Sequence, residues 1–136
     1  MNLRRLLAAV AVACVVVGGF TPSSAQAASA STGRDNFYGT CDAQVHVSDT
    51  TTAGRVEVFG GWGCQVDKYF TGTLVCVLYL NGAEKARVAT DLKTSSTEFC
   101  AVTYPDYSST DTFYGKLIVK GAGSTNFTLT TGSIRT

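Results

Sequence analysis

The sequence lacks the motifs that most often reveal a reaction or a highly charged partner. It contains a single histidine, His46, and no Gly-rich phosphate loop, G-x-S-x-G elbow, calcium loop or paired-cysteine zinc spacing. Its 11 Lys and Arg residues against 10 Asp and Glu give a formal net charge of +1 at pH 7, so no basic surplus is available to attract nucleic acid or anionic lipid. We therefore predict no enzymatic activity, no cofactor, no metal site and no nucleic-acid partner.

Helical patterning is also missing. Beyond residue 36, no stretch of ten or more residues carries apolar side chains at the helical period, and Pro105 is the only proline after residue 27. Short runs rich in β-branched and aromatic residues alternate instead with clusters of Gly, Asn, Asp, Ser and Thr, which predicts strands separated by turns. The predicted strands are 41–47, 55–59, 73–80, 85–90, 98–104, 112–120 and 126–132. We expect an all-β fold, an antiparallel β-sandwich of about seven strands with a generally immunoglobulin-like architecture.

The first 27 residues have the order of a secretory signal peptide of bacterial type. Arg4 and Arg5 precede an apolar run of about 15 residues, and an A-x-A step ends at Ala27. The run is shorter than the roughly 20 residues of a membrane-spanning helix, so we expect cleavage after Ala27, secretion to the extracellular medium and no membrane insertion. The small polar residues 28–36 are predicted to be a flexible lead-in, and residues 37–136 to form a single domain.

Four cysteines follow the leader, and an even number in a small exported chain predicts two disulfides. Spacing alone leaves three pairings open. We favour the pairing in which each bond joins strands that are near neighbours in the chain. The favoured disulfides are Cys41 with Cys64 and Cys76 with Cys100.

The segment 73–90 carries the clearest local signals. Asn81-Gly82 between two β-rich runs predicts a type I′ hairpin turn, because both residues tolerate the positive φ that this turn requires. The strand before the turn is apolar on both faces, with Val75, Val77 and Tyr79 on one of them. Either its own chain covers both faces, or the second face meets a partner. We take these three residues as candidate partner-binding positions.

The segment 59–70, FGGWGCQVDKYF, admits two interpretations. In one, its glycines form a bulge or tight corner beside a disulfide, and Trp62 fills the core. In the other, the glycines let a partner backbone approach, and Trp62, Tyr69 and Phe70 form an aromatic binding platform. The functional hypothesis adds these three aromatic residues to the candidate binding site. Alternation along the predicted strand 41–47 places His46 on the face opposite Val45 and Val47, toward solvent.

The leader, the length of about 109 residues after it, the β-rich pattern and the four cysteines resemble the small secreted adaptor subunit of bacterial umbrella toxin particles. That subunit holds a stalk protein on one side and a lectin subunit on the other, so the resemblance implies strand or loop insertion into a partner chain. Our leading hypothesis is a secreted, non-catalytic β-sandwich that binds another protein. Two alternatives stay open, a carbohydrate-binding module that stacks glycans on the same aromatic residues and a secreted enzyme inhibitor.

Overall fold

The computed structural model describes residues 28–37, 41–65, 71–93, 97–108, 110–122 and 125–136. These residues form nine strands and no helix, and none of them belongs to a helix long and apolar enough to cross a membrane. The strands are β1 Ser29–Phe37, β2 Cys41–Ser48, β3 Arg55–Cys64, β4 Thr71–Leu80, β5 Ala83–Lys93, β6 Thr97–Pro105, β7 Thr112–Ala122, β8 Thr125–Thr130 and β9 Ile134–Arg135. The predicted leader and its cleavage site lie outside the described residues.

The nine strands form two antiparallel sheets packed face to face, which confirms the predicted sandwich. The first sheet has the order β1-β2-β3-β6, and the second has the order β5-β4-β7-β8, with β9 pairing to β7. Strands β3 and β6 are neighbours in one sheet while β4 and β7 are neighbours in the other. The chain therefore crosses repeatedly between the sheets, as strands B, C, E and F do in immunoglobulin-like sandwiches.

The core lies between the two sheets and follows the period-2 alternation of the strands. In β2 every second residue from Cys41 to Val47 is buried. The second sheet contributes residues from β4 and β7 to the same core. The largest fully buried side chains of this core are Phe113, Leu74, Leu78, Leu117, Val45, Val47, Val56, Val58 and Val119. The sheets come very close at Gly115, where a Cβ would lie 2.7 Å from Cγ1 of Val58.

Both disulfides have the favoured pairing, Cys41–Cys64 and Cys76–Cys100. Cys41 and Cys64 are directly opposed residues of β2 and β3 within the first sheet. Cys76 on β4 and Cys100 on β6 belong to different sheets, so the second bond joins the two layers through the core.

Residues 28–36 differ from the expected flexible lead-in, because most of them form β1. This strand pairs with β2 from Ser29 opposite Ser48 to Arg34 opposite Ala43. Ala28 and Ala30 pack against the core. Small polar composition suggests disorder when a segment is considered alone, but main-chain pairing with β2 requires no large side chains. The ordered domain therefore begins about nine residues earlier than the sequence suggests.

The Asn81-Gly82 turn forms as predicted and joins β4 to β5. Both residues have positive φ, 49° and 84°, as a type I′ turn requires. The Asn81 side chain donates to Oδ1 of Asp111 and accepts from the backbone N–H of Thr112 at 3.0 Å. The hairpin is thereby fixed to the start of β7.

Candidate functional site

Val75 and Val77 occupy the outer face of the second sheet, yet their side chains are only 5% and 0% exposed. These two side chains leave almost no surface for a partner to contact, so their selection as partner-binding residues is wrong, and the alternative that the chain covers both faces is the one observed. Val77 is flanked by Arg87 of β5 and Lys116 of β7 in the strand register, and directly opposed residues share a face. Long charged side chains cover apolar surface with their methylene groups while the charged ends reach water, so the chain itself covers this face.

Tyr79, the third residue of the predicted face, remains half-exposed and stacks on Tyr114 of β7. The two ring centres lie 4.7 Å apart, with an angle of 3° between the planes. Nζ of Lys116 lies 4.8 Å from the centre of the Tyr79 ring and 6.0 Å from that of Tyr114. These three residues form the tyrosine surface.

An ion pair borders the tyrosine surface on β5. Nε and Nη2 of Arg87 donate to the two carboxylate oxygens of Glu84 at 2.8 and 2.9 Å. The hydrogen bonds from Arg87 lower the pKa of Glu84 from its ordinary value of 4.5. Arg87 shares the sheet face of Val77 because the two are register partners, and the bidentate bond orients its guanidinium group toward Glu84.

Trp62 is buried, with 3% of its surface exposed, and belongs to the core cluster. The interpretation of this residue as a core-filling side chain is confirmed, and its prediction as an exposed aromatic anchor is wrong. The cause is the register of β3, in which Val56, Val58, Gly60 and Trp62 all point inward. Tyr69 and Phe70 lie outside the described residues.

The glycines around Trp62 point alternately to the two faces of the first sheet. Gly60 faces the core, whereas Gly61 and Gly63 face outward. A Cβ at Gly61 would lie 2.8 Å from the carbonyl oxygen of Glu98 and 3.2 Å from Cβ of Phe99. Gly61 therefore leaves space on the outer face that the Phe99 side chain uses.

Two phenylalanines that the sequence analysis did not select are the exposed aromatic residues of this face. Phe59 is 41% exposed and Phe99 is 60% exposed, and their ring centres lie 5.8 Å apart with the planes tilted by 34°. Phe99 is paired with Gly61, two residues along β3 from Phe59, so the rings are diagonal neighbours on one face. We call these two residues the phenylalanine pair.

The phenylalanine pair borders a shallow depression of about 500 Å³ on the outer face of the first sheet. Its floor is low because glycines occupy outward positions on β1 and β3. Polar groups contributed by β1 and β2 surround the rings, and His46 is the register partner of Phe59. The lining residues used below are Asp42, Gln44, His46, Phe59, Gly61 and Phe99. As predicted, His46 lies opposite the buried Val45 and is partly exposed.

Alternation contained a signal for the phenylalanine pair. If Val56 and Val58 face the core, Phe59 must face outward, and if Cys100 forms an inter-sheet disulfide, Phe99 must face outward too. The pattern of β4, which is apolar on both faces, instead favours the outer face of the second sheet.

The described residues contain no group of three or more His, Cys, Asp or Glu side chains that could hold a metal ion. They do contain exposed aromatic rings with hydrogen-bonding groups beside them, an arrangement suited to binding a partner molecule. Comparison of the chain with models of known families, with curated proteins and with solved structures found no match.

Proposed function

We propose that this chain is a secreted, non-catalytic binding domain that holds a partner protein on the outer face of its first sheet. The observation that carries the proposal is the phenylalanine pair, which exposes two adjacent large apolar side chains on a strand face whose other residues are mainly polar or glycine. An exposed apolar cluster with a polar border is typical of a protein contact surface.

The composition of this face resembles the usual organisation of a binding interface. Interfaces place aromatic residues at the centre, where water is excluded, and polar residues around them. Here the rings of Phe59 and Phe99 adjoin Gln44, His46 and Asp42 along the depression. The outward Gly61 leaves the space on this face in which the Phe99 side chain lies.

The tyrosine surface supports the narrower proposal that the domain is an adaptor. It lies on the outer face of the second sheet, so the sandwich separates it from the phenylalanine pair. An adaptor needs two such surfaces in order to hold two different proteins at once. Tyr79 and Tyr114 combine aromatic area with hydroxyl groups, and Lys116 adds a cation, which suits an interface with a polar or acidic partner.

The proposal is tested by replacing both phenylalanines with serine. The partner is first identified as the protein that co-purifies at fixed stoichiometry from the culture medium of the source. We expect Phe59→Ser with Phe99→Ser to weaken its binding at least about 100-fold, since two central aromatic contacts are lost. Tyr107→Ser is the matched control, because Tyr107 is 83% exposed in the segment after β6. Affinity within threefold of wild type for a folded double variant would contradict the proposal.

A second candidate function, binding of a glycan, is favoured by one feature of the same depression. Carboxylate, amide and imidazole groups from Asp42, Gln44 and His46 line it beside the Phe99 ring, and sugars combine stacking on aromatic rings with hydrogen bonds to such groups. Titration with soluble bacterial and plant polysaccharides distinguishes the two. Glycan binding predicts saturable heat that both Gln44→Ala and Phe99→Ala abolish, whereas protein binding predicts no heat across the panel.

A further inference from the structure

The first described residue, Ala28, exchanges two hydrogen bonds with Asp49 in the turn after β2. The backbone nitrogen of Ala28 donates to Oδ1 of Asp49 at 2.8 Å, in a partly buried position. The backbone nitrogen of Asp49 donates in return to the carbonyl oxygen of Ala28 at 3.2 Å. Ala28 also packs against the core. A carboxylate is therefore directed at the one nitrogen that follows the predicted cleavage point.

The sequence offers a second A-x-A step, Ala28-Ser29-Ala30, three residues after the first. Cleavage there would remove residues that the sandwich uses. Ser29 and Ala30 pair with Ser48 and Val47 at the end of β2, and Ala28 and Ala30 contact the core. Cleavage after residue 27 instead retains all of β1, so the structure favours the first step.

We infer that Ala28 is the N-terminus of the mature chain and that Asp49 is the binding site for its α-ammonium group. The inference rests on the secretory leader of the proposed function, but on none of its partner surfaces. Hydrolysis of the peptide bond between residues 27 and 28 by a signal peptidase, with water as the co-reactant, leaves a carboxylate on residue 27 and an ammonium group on Ala28. The nitrogen already placed 2.8 Å from the carboxylate then carries a positive charge and additional donors.

The consequence is that processing strengthens the fold. Before cleavage the Ala28 nitrogen is an amide with one N–H, and its bond to Asp49 joins a neutral donor to a carboxylate. After cleavage the same contact becomes an ion pair with charge-assisted hydrogen bonds, which are shorter and stronger. The turn that carries Asp49 has its own support, since Oγ of Ser48 accepts from the backbone N–H of Thr50 at 3.1 Å. Replacing the Asp49 carboxylate should therefore leave the turn in place.

The first test is the intact mass of the protein secreted from the full chain, leader included, by a bacterial host. We expect a chain that begins at Ala28, with both disulfides formed. A mature chain that begins at Ser31 or at any other residue would overturn the inference.

The second test compares recombinant chains that begin at Ala28 with chains that carry one additional glycine before it. We expect the Ala28 form to melt about 3 °C higher, the shift that a partly buried ion pair produces in a domain of this size. In Asp49→Asn, which keeps the side-chain shape, the two forms should melt within about 1 °C of each other. Equal melting of the two forms with Asp49 present would also overturn the inference. Because neither measurement involves a partner, failure here is distinguishable from failure of the proposed interface.

Discussion

Gly60 lies opposite Cys100 in the pairing of β3 with β6, and a Cβ on Gly60 would lie 3.4 Å from Sγ of Cys76. The same Cβ would lie 2.9 Å from Cδ1 of Leu117 on the second sheet. The glycine thus provides the space through which the inter-sheet disulfide and a core leucine pack.

Gly60→Ala should destabilise the domain by about 1–3 kcal/mol, because the added methyl overpacks a closed part of the core. Gly63→Ala is the matched control, since its Cβ would meet Oγ1 of Thr97 at 3.7 Å, an ordinary contact. We expect the control to remain within about 0.5 kcal/mol of wild type. Urea unfolding of both variants measures the difference, and equal stabilities would show that the core around Leu117 can relax.

The two disulfides should differ in their contribution to stability although they close loops of nearly equal length. Their sequence separations are 23 and 24 residues, so the constraint on the unfolded chain is about 3 kcal/mol for each. Cys76 and Cys100 are both buried, at 0% and 3% exposed, whereas in the other pair Cys41 is buried and Cys64 only half-buried. Replacing Cys76 and Cys100 with alanine therefore leaves the larger cavity, which lies between the sheets.

We expect the Cys76→Ala, Cys100→Ala variant to be less stable than the Cys41→Ala, Cys64→Ala variant by about 1–2 kcal/mol. The measurement is the urea midpoint of each double variant, compared at equal m-values. A larger loss from the Cys41–Cys64 pair would indicate that constraint at the ends of β2 and β3 matters more than packing between the sheets.

Local patterns in the sequence predicted much of the fold because they act over short distances. Asn81-Gly82 specifies its own backbone conformation, so the β4–β5 hairpin was predictable from two residues. Alternation of apolar and polar residues predicted the strands that have one buried face. Nearness in the chain correctly favoured the Cys76–Cys100 bond.

Features that depend on pairing between distant segments were not predictable in the same way. Residues 28–36 are ordered because their backbone pairs with β2. Amino-acid composition does not reveal this pairing. The burial of Val77 depends on β5 and β7 lying on either side of it, because only then do Arg87 and Lys116 cover it. Alternation can predict that Phe99 faces outward, but its exposure of 60% follows from its place on an edge strand opposite Gly61.

The carboxyl group of Glu84 should titrate below its ordinary value of 4.5, because Arg87 donates two hydrogen bonds to its charged form. A lowered folded-state pKa means that the ion pair stabilises the fold above the unfolded-state pKa. This contribution is lost as pH falls through the folded-state value. NMR titration of the side-chain carboxyl carbon should show the lowered pKa in wild type and its return toward 4.5 in Arg87→Gln. An unchanged Glu84 pKa in that variant would contradict the assignment to Arg87.

Lys116→Ala tests whether the chain itself covers the apolar residues on the outer face of the second sheet. Lys116 is the register partner of Val77, and its Nζ reaches a point 4.8 Å from the Tyr79 ring centre. Its methylene groups therefore extend between these two neighbours. Truncation removes both the methylene groups that cover Val77 and the cation–π contact, so we expect the free energy of unfolding to fall by about 1 kcal/mol.

Lys120→Ala is the matched control for this experiment, because Lys120 lies exposed near the end of the same strand. It should change the free energy of unfolding by less than about 0.5 kcal/mol. Thermal and urea unfolding of the isolated domain distinguish the two variants. If Lys116→Ala is as stable as Lys120→Ala, the Lys116 side chain does not protect Val77. The alternative that a partner covers this strand face would then regain support, and the face would need to be included in the interface mapping.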